Sequence, residues 1–210
     1  MSTDGLIAFD LDGTLIDSLE GIQASLADAC AMLQLPTPSL ERLRGHIGPP
    51  LRHYLPALLQ LPKDQAQTWM EPLLQRFRQH HDREGWRHYQ LYEGTRELLQ
   101  RLAQDRWSLH VVTHKPLGLA QQLLEREGLS VLIESLQAPG GEGWLGKTQA
   151  LQALPGEDRR AHWYVGDTAP DQQAAQTAGY RFVAASYGYG HCPEADARID
   201  TPLQLLEVLT

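Results

Sequence analysis

The chain has 210 residues, with 18 Lys+Arg against 26 Asp+Glu for a formal charge of −8, and 42% of its residues are hydrophobic. That composition suits one folded domain with room for an insertion and excludes a disordered chain. The acidic balance excludes a dedicated nucleic-acid binder, no apolar run approaches the roughly 18 residues of a membrane span, and Cys30 and Cys192 make neither a disulfide framework nor a metal-ligand spacing, which points to a reducing cytoplasm.

Gly5-Leu6-Ile7-Ala8-Phe9 is nearly all apolar and is stopped by Asp10 and Gly13, the pattern of a fully buried parallel strand. From Asp17 to about Gln90 no strand-like run occurs. Leu and Ala recur there at helical spacing, broken by Pro36, Pro38, Gly48-Pro49-Pro50 and Pro62, so the segment is predicted to be an all-helical insertion. Residues 18–90 hold eight basic against seven acidic side chains, leaving ten against nineteen elsewhere, so an anionic substrate could bridge a weakly basic lobe and an acidic core. Arg and Glu on helical surfaces for solubility would give the same count.

Strands are then expected at Ser108–Thr113, Ala161–Val165 and Arg181–Ala185. Helices are expected at Pro116–Glu127, Gly146–Leu154, Ala169–Ala178 and Pro202–Leu209, with Gly128 and Gly179 as stops. This alternation gives an α/β fold with a Rossmann-like parallel sheet core, residues 1–16 plus 91–210, and an inserted all-helical cap, residues 17–90. Asp10, Thr113 and Asp167 end or follow strands, where open parallel sheets bind ligands.

Asp10 and Asp12 stand two residues apart at the end of a buried strand. Two ionised carboxylates so close repel, so a cation or a proton is needed, which suits either a divalent metal or acid/base work. Gly166-Asp167-Thr168-Ala169-Pro170-Asp171 is a second acidic pair after a strand, and pairs brought in from two strands suit a hard cation such as Mg2+. Asp-Thr-x-Pro could equally cap a helix, as could Asp17 and Ser18 before the first helical run. Of three lysines, Lys147 stands where a helix begins, unfavourable for the helix dipole unless its ammonium serves phosphate and carboxylate. Lys115, beside Thr113, is the other candidate. A carboxylate nucleophile, a second acid, a metal-binding pair, a hydroxyl and an ammonium together suit phosphoryl transfer to aspartate.

These residues, in the order Asp10-x-Asp12-Gly-Thr-Leu, Val-Val-Thr113, Lys147 and Gly166-Asp167-x-x-x-Asp171, resemble the four motifs of the haloacid dehalogenase superfamily. The tail Ser186-Tyr187-Gly188-Tyr189-Gly190 resembles the phosphoglycolate phosphatase branch. The resemblance implies that Asp10 attacks phosphorus and that Asp12 protonates the leaving oxygen and then activates water. It also implies that Mg2+ bridges Asp10, the Asp12 carbonyl and Asp167 with support from Asp171, and that Thr113 and Lys147 hold phosphate oxygens. The presence of Asp12 favours phosphate esters or anhydrides of a small metabolite over dehalogenation or phosphonate cleavage.

His114 stands where relatives commonly show asparagine, which makes it a candidate substrate contact. The stretch before Lys147 is Gly-Gly-Glu-Gly-Trp-Leu-Gly instead of a simple Lys-Pro motif. Arg42, Arg44, His46, Arg52 and His53 cluster around Gly48-Pro49-Pro50, a loop resembling the cap segment that selects substrate, and Arg52 is the candidate there for a substrate carboxylate. Trp69, Trp86 and Tyr89 are expected in the cap's own core. A sugar-phosphate mutase, a pyrophosphatase, a phosphoryl receiver and a phosphate-binding protein are the competing readings.

Overall fold

In the computed structural model, which describes residues 5–61, 63–156 and 162–209, the first apolar run becomes β1 (Leu6–Phe9), followed by a tight loop and the two-residue β2 (Ile16–Asp17). Four helices follow: α1 (Leu19–Met32), α2 (Leu40–Arg44), α3 (Leu51–Leu58) and α4 (Lys63–Arg83). Then come β3 (Gln90–Leu91), α5 (Thr95–Gln104), β4 (Ser108–Val112), α6 (Leu117–Arg126), β5 (Ser135–Gln137) and α7 (Lys147–Ala153). The chain continues through β6 (His162–Gly166), α8 (Ala169–Ala178), β7 (Arg181–Ala185), β8 (Ala197–Ile199) and α9 (Leu205–Val208).

Two compact units result, Met1–Ile16 with Leu91–Thr210, and Asp17–Gln90. In the first, six parallel strands pair in the order β5-β4-β1-β6-β7-β8. Every residue of β1, β4 and β6 is buried, as an α/β sheet requires; β1 reads as one apolar run, while β4 also buries Ser108 and His110, hydrogen-bonded to each other at 2.8 Å. The chain builds outward from β1 to β4 and β5, then returns to the other side of β1 for β6, β7 and β8. That reversal is a topological switch point between β1 and β6, the place where open parallel sheets bind ligands at the carboxyl ends of their strands. Asp10 follows β1 and Asp167 follows β6. Leu151 and Leu154, Ala174, Ala175 and Ala178 of α8, and Tyr180 and Phe182 form one apolar cluster with Ala8 of β1, locking the helices after β5 and β6 to the sheet.

The second unit is helical, apart from the terminal residues of β2 and β3. Leu26, Ala29 and Cys30 of α1 and Leu73, Leu74 and Phe77 of α4 are buried. Arg76 makes two hydrogen bonds to Asp28, 2.6 and 2.9 Å, a forked pair linking the same helices. Ser25 donates to Gly21 O at 2.8 Å and is hydrogen-bonded to His81 at 3.1 Å and His80 at 3.2 Å, so two of the unit's histidines serve its packing. Trp86 is buried, and Trp69 and Tyr89 are half-buried.

The structure departs from the sequence expectations in small, physically clear ways. Asp17, not Ser18, caps α1: its carboxylate accepts the Leu19 amide at 3.1 Å, and the Ser18 side chain makes no cap bond. The expected helix at 202–209 begins as a 3-10 turn, Pro202–Gln204, and only Leu205–Val208 is α-helical. β5 and β8, three residues each at the two sheet edges, carry no signal long enough to be read, whereas α5 was missed although Thr95, Leu98, Leu99 and Leu102 recur at helical spacing and are buried. Ala161 and Pro62 lie outside the described residues.

Candidate functional site

The loop after β1 is wound tightly. Asp10 N–H donates to Val165 O at 2.9 Å, extending the β1–β6 pairing by one residue, and Leu11 O accepts the amides of Thr14, Leu15 and Ile16. Gly13, at φ +85°, makes the reversal, and a Cβ there would lie 2.2 Å from Asp167 Oδ2. The first acidic loop is thus pressed directly against the second.

Asp167 is clamped from two sides. Thr14 Oγ1 donates to Oδ1 at 3.4 Å, and the Tyr189 amide donates to Oδ2 at 2.8 Å. Asp171 sits in the first turn of α8, where it completes a capping box. Its Oδ2 accepts the Thr168 amide at 3.1 Å and the Thr168 hydroxyl, while Thr168 Oγ1 accepts the Asp171 amide at 3.4 Å. The capping reading of this segment holds, and it leaves the other oxygen, Oδ1, facing Lys147 Nζ at 2.6 Å and Tyr164 Oη at 3.1 Å.

Lys147, the first residue of α7, also reaches Asp10 Oδ2 at 2.7 Å. Lys115 pairs instead with Asp12, Nζ to Oδ1 at 2.9 Å. Thr113 follows β4, is buried, and accepts the Lys115 amide at 3.1 Å on its hydroxyl oxygen, which leaves the O–H proton free to donate elsewhere.

Four carboxylates therefore face two ammonium groups. Burial pushes the Asp10 carboxyl up to about 7, with Lys147 opposing and Asp171 adding to the rise. Asp167 is held well above the usual carboxylate range by burial and then by Asp171 and Asp10. Asp171 ends below that range: burial raises it, and the Lys147 charge and its hydrogen bonds more than offset this. Burial works against the Lys147 ammonium, but Asp10 and Asp171 outweigh it and push its pKa up.

This donor set fits a hard divalent cation. Ligand atoms of Asp10, Asp167 and Asp171 lie within 4.8 Å of one another, and Asp10 Oδ1 is buried with no hydrogen-bond partner. Asp171 is ion-paired with Lys147 and fixed by Thr168, whereas Asp167 accepts, among the described residues, only from the neutral Thr14 hydroxyl and Tyr189 amide, so Asp10 and Asp167 are the residues that would hold the ion directly. A pH dependence follows. Asp10 keeps its proton in the folded chain between its ordinary 3.8 and about 7, so without a cation its contribution to stability falls as pH rises across that window. A divalent cation must displace that proton. Addition of Mg2+ is therefore expected to raise the melting temperature more at pH 8 than at pH 5.5, and an equal shift at both would contradict the assignment.

Gly188 closes the arrangement. A Cβ there would fall 2.3 Å from Asp167 Cβ and 2.4 Å from Gly13 O, so the loop after β7 lies on both acidic loops at once. Gly188→Ala is expected to cost about 1–3 kcal/mol through overpacking and to weaken the thermal response to Mg2+. A full response in the folded variant would show that Asp167 does not depend on this contact.

Asp10, Asp12, Thr113, Lys147, Asp167 and Asp171 all belong to the carboxyl ends of β1, β4 and β6 or to the helix starts facing them. His114 is half-buried beside Thr113, its ring edge-on to Trp144 with centroids 5.9 Å apart. Arg52 belongs to the helical unit, where Glu71 pairs with it at 2.5 Å and both side chains are exposed. Sequence reasoning missed Tyr164, Thr14 and the Tyr189 amide. Each carried a signal: Thr14 and Tyr189 stand in the motifs already singled out, and a Tyr164 hydroxyl in a buried strand must find a polar partner.

A family model described as haloacid dehalogenase-like hydrolase matches residues 7–185. The chain is 32% identical over 206 residues to a phosphoglycolate phosphatase of Aliivibrio fischeri, covering 93% of this chain and 90% of that one. It is 30% identical over 200 residues to a 5'-nucleotidase of Pseudomonas aeruginosa, covering 93% and 88%. A haloacid dehalogenase-like family hydrolase from Streptococcus pneumoniae superposes with a TM-score of 0.85 at 26% identity over 98% of both chains.

Proposed function

The chain belongs to the haloacid dehalogenase-like hydrolase family, and on that footing we propose that it is a cytoplasmic, Mg2+-dependent phosphatase that hydrolyses a small phosphorylated metabolite through an aspartyl-phosphate, with phosphoglycolate the leading substrate. The observation that carries this reading is the environment of Asp10: buried, with one oxygen on Lys147 and the other without a hydrogen-bond partner, beside Asp167 and Asp171.

Asp10 forms the bond to phosphorus as the bond from phosphorus to the leaving oxygen breaks. Asp12, displaced by two residues and partly exposed, takes up a proton from solvent as it leaves Lys115 and gives it to that oxygen. Asp12 then takes a proton from water, whose oxygen attacks phosphorus, frees Asp10 and releases inorganic phosphate. Lys147 and the Thr113 hydroxyl hold phosphoryl oxygens as charge shifts among them. The cation supplies positive charge that lets Asp10 and a phosphate dianion approach one another. Asp171 keeps Lys147 charged and aimed, while Thr168 fixes Asp171.

The name of the Aliivibrio fischeri relative supports phosphoglycolate, and that of the Pseudomonas aeruginosa relative places nucleoside monophosphates in the same test. The two free buried thiols, Cys30 and Cys192, support a reducing compartment, and among the described residues no helix is long and apolar enough to cross a membrane. The test is phosphate release with Mg2+ across phosphoglycolate, sugar phosphates, nucleoside monophosphates and pyrophosphate. One monoester far above the rest is expected. Release from none of them by folded protein would overturn the reading.

A further inference from the structure

The two buried lysines of the core have different commitments. Lys147 is shared between Asp10 and Asp171, and Lys115 pairs with Asp12. Both ammonium-bearing side chains are 4% exposed, and of their partners Asp12, at 15%, is more open to a bound molecule than Asp10, at 3%, or Asp171, at 0%. The position of Lys115 is built into the backbone. Its amide is tied to Thr113 Oγ1 at 3.1 Å, and Pro116 follows at once as the N-cap of α6.

On the phosphatase reading above, Asp12 meets the leaving oxygen. The Lys115 ammonium lies 2.9 Å from Asp12, and one further hydrogen bond of about 2.7 Å puts it within about 6 Å of that oxygen. A carboxylate on the carbon next to the ester oxygen extends about 3 Å beyond it, and the remaining gap is one hydrogen bond. An alcohol or a neutral group at the same place would leave Lys115 on Asp12 and gain nothing from it.

We infer that Lys115 is the specificity-determining residue for the leaving group, selecting substrates whose ester oxygen is borne by a carbon attached to a carboxylate. When such a substrate binds, its carboxylate takes Lys115 over from Asp12, which frees Asp12 to turn toward the leaving oxygen. Recognition and the placement of the acid are then one exchange of partners, and the inference rests on that proposed reaction.

The experiment compares phosphoglycolate with ethylene glycol monophosphate, which carries a hydroxymethyl group in place of the carboxylate, in wild type, Lys115→Met, Lys115→Arg and Arg52→Ala. Lys115→Met is expected to raise KM for phosphoglycolate roughly tenfold to a hundredfold, the size of a lost hydrogen bond between charged groups, and to move KM for the neutral ester by less than about twofold. Lys115→Arg should restore part of the preference. The same preference is read without turnover by calorimetric titration of both compounds into Asp10→Asn and Asp10→Asn/Lys115→Met proteins, where the double variant should bind the two alike. An equal loss on both substrates would make Lys115 only a support for Asp12 and overturn the inference. Selective loss in Arg52→Ala, with Lys115→Met unchanged, would overturn it in favour of the helical unit. If wild type turns over neither ester, the phosphatase reading fails, and the titrations still decide whether Lys115 recognises the carboxylate.

Discussion

Asp10→Asn is expected to abolish phosphate release, by at least about 10⁴-fold, while leaving the protein folded. Asparagine has the same shape, keeps the amide bond to Val165 O and removes the negative charge that burial resists. Because the carboxyl is pushed up to about 7, the wild-type chain at pH 8 without a cation carries an ionised group that the interior opposes, and the variant does not. Its melting temperature at pH 8 without Mg2+ should therefore equal or exceed that of wild type, and Mg2+ should no longer raise it. The checks are a phosphate-release assay and thermal melts with and without Mg2+. A folded variant with full activity would remove Asp10 from the nucleophile's role.

Lys147→Met should damage both stability and activity. The ammonium lies 2.7 Å from Asp10 and 2.6 Å from Asp171 and is nearly inaccessible to water, so its removal leaves buried carboxylates without their counter-charge. Breaking a buried pair by deleting one partner costs about 3–5 kcal/mol. The pH dependence has a definite sign. Lys147 holds Asp171 below its ordinary value, so the Asp171 contribution is present above the unfolded pKa of about 3.8 and is lost as pH falls through the lower folded value. Without Lys147, burial raises Asp171 as it already raises Asp10 and Asp167, and the folded variant holds protons that the unfolded chain has lost. The deficit relative to wild type should be larger at pH 8 than at pH 5, as read from denaturant midpoints at both. A deficit independent of pH would mean that lost packing, not lost charge, is responsible.

Much of the core was legible because its strands are buried on both faces and so cannot alternate. β1, β4, β6 and β7 stand out as mostly apolar runs, and the polar residues that end the first three mark the rim. The short edge strands β5 and β8 lack both length and a consistent apolar face, and nothing local announces them. Within the site, Asp10, Asp12, Asp167 and Asp171 could be found because charge at the end of a buried strand demands a reason. Lys147 could be suspected because a lysine opposes the dipole at a helix start. The assignment of each lysine to its carboxylate could not be read, since Lys115 and Asp12 are 103 residues apart and meet only through the parallel pairing of β1 with β4. The same holds for the Tyr189 amide on Asp167, a backbone contact that depends on where the loop after β7 lies and on the absence of a side chain at Gly188. Arg52, picked out by its sequence neighbourhood, lies exposed in the helical unit and is paired with Glu71.

On this mechanism the phosphoryl group passes through Asp10. The most direct measurement is mass spectrometry of peptides from the Asp12→Asn variant, quenched in acid after mixing with Mg2+ and acetyl phosphate, whose leaving group departs without the proton that Asp12 gives to an alkoxide. Without its base for water, that variant should accumulate the intermediate. A single phosphoryl adduct on the peptide carrying Asp10, absent when Asp10 is also changed to Asn, is the predicted result. An adduct on another residue, or phosphate released by wild type with no adduct at Asp10 in the variant, would contradict it.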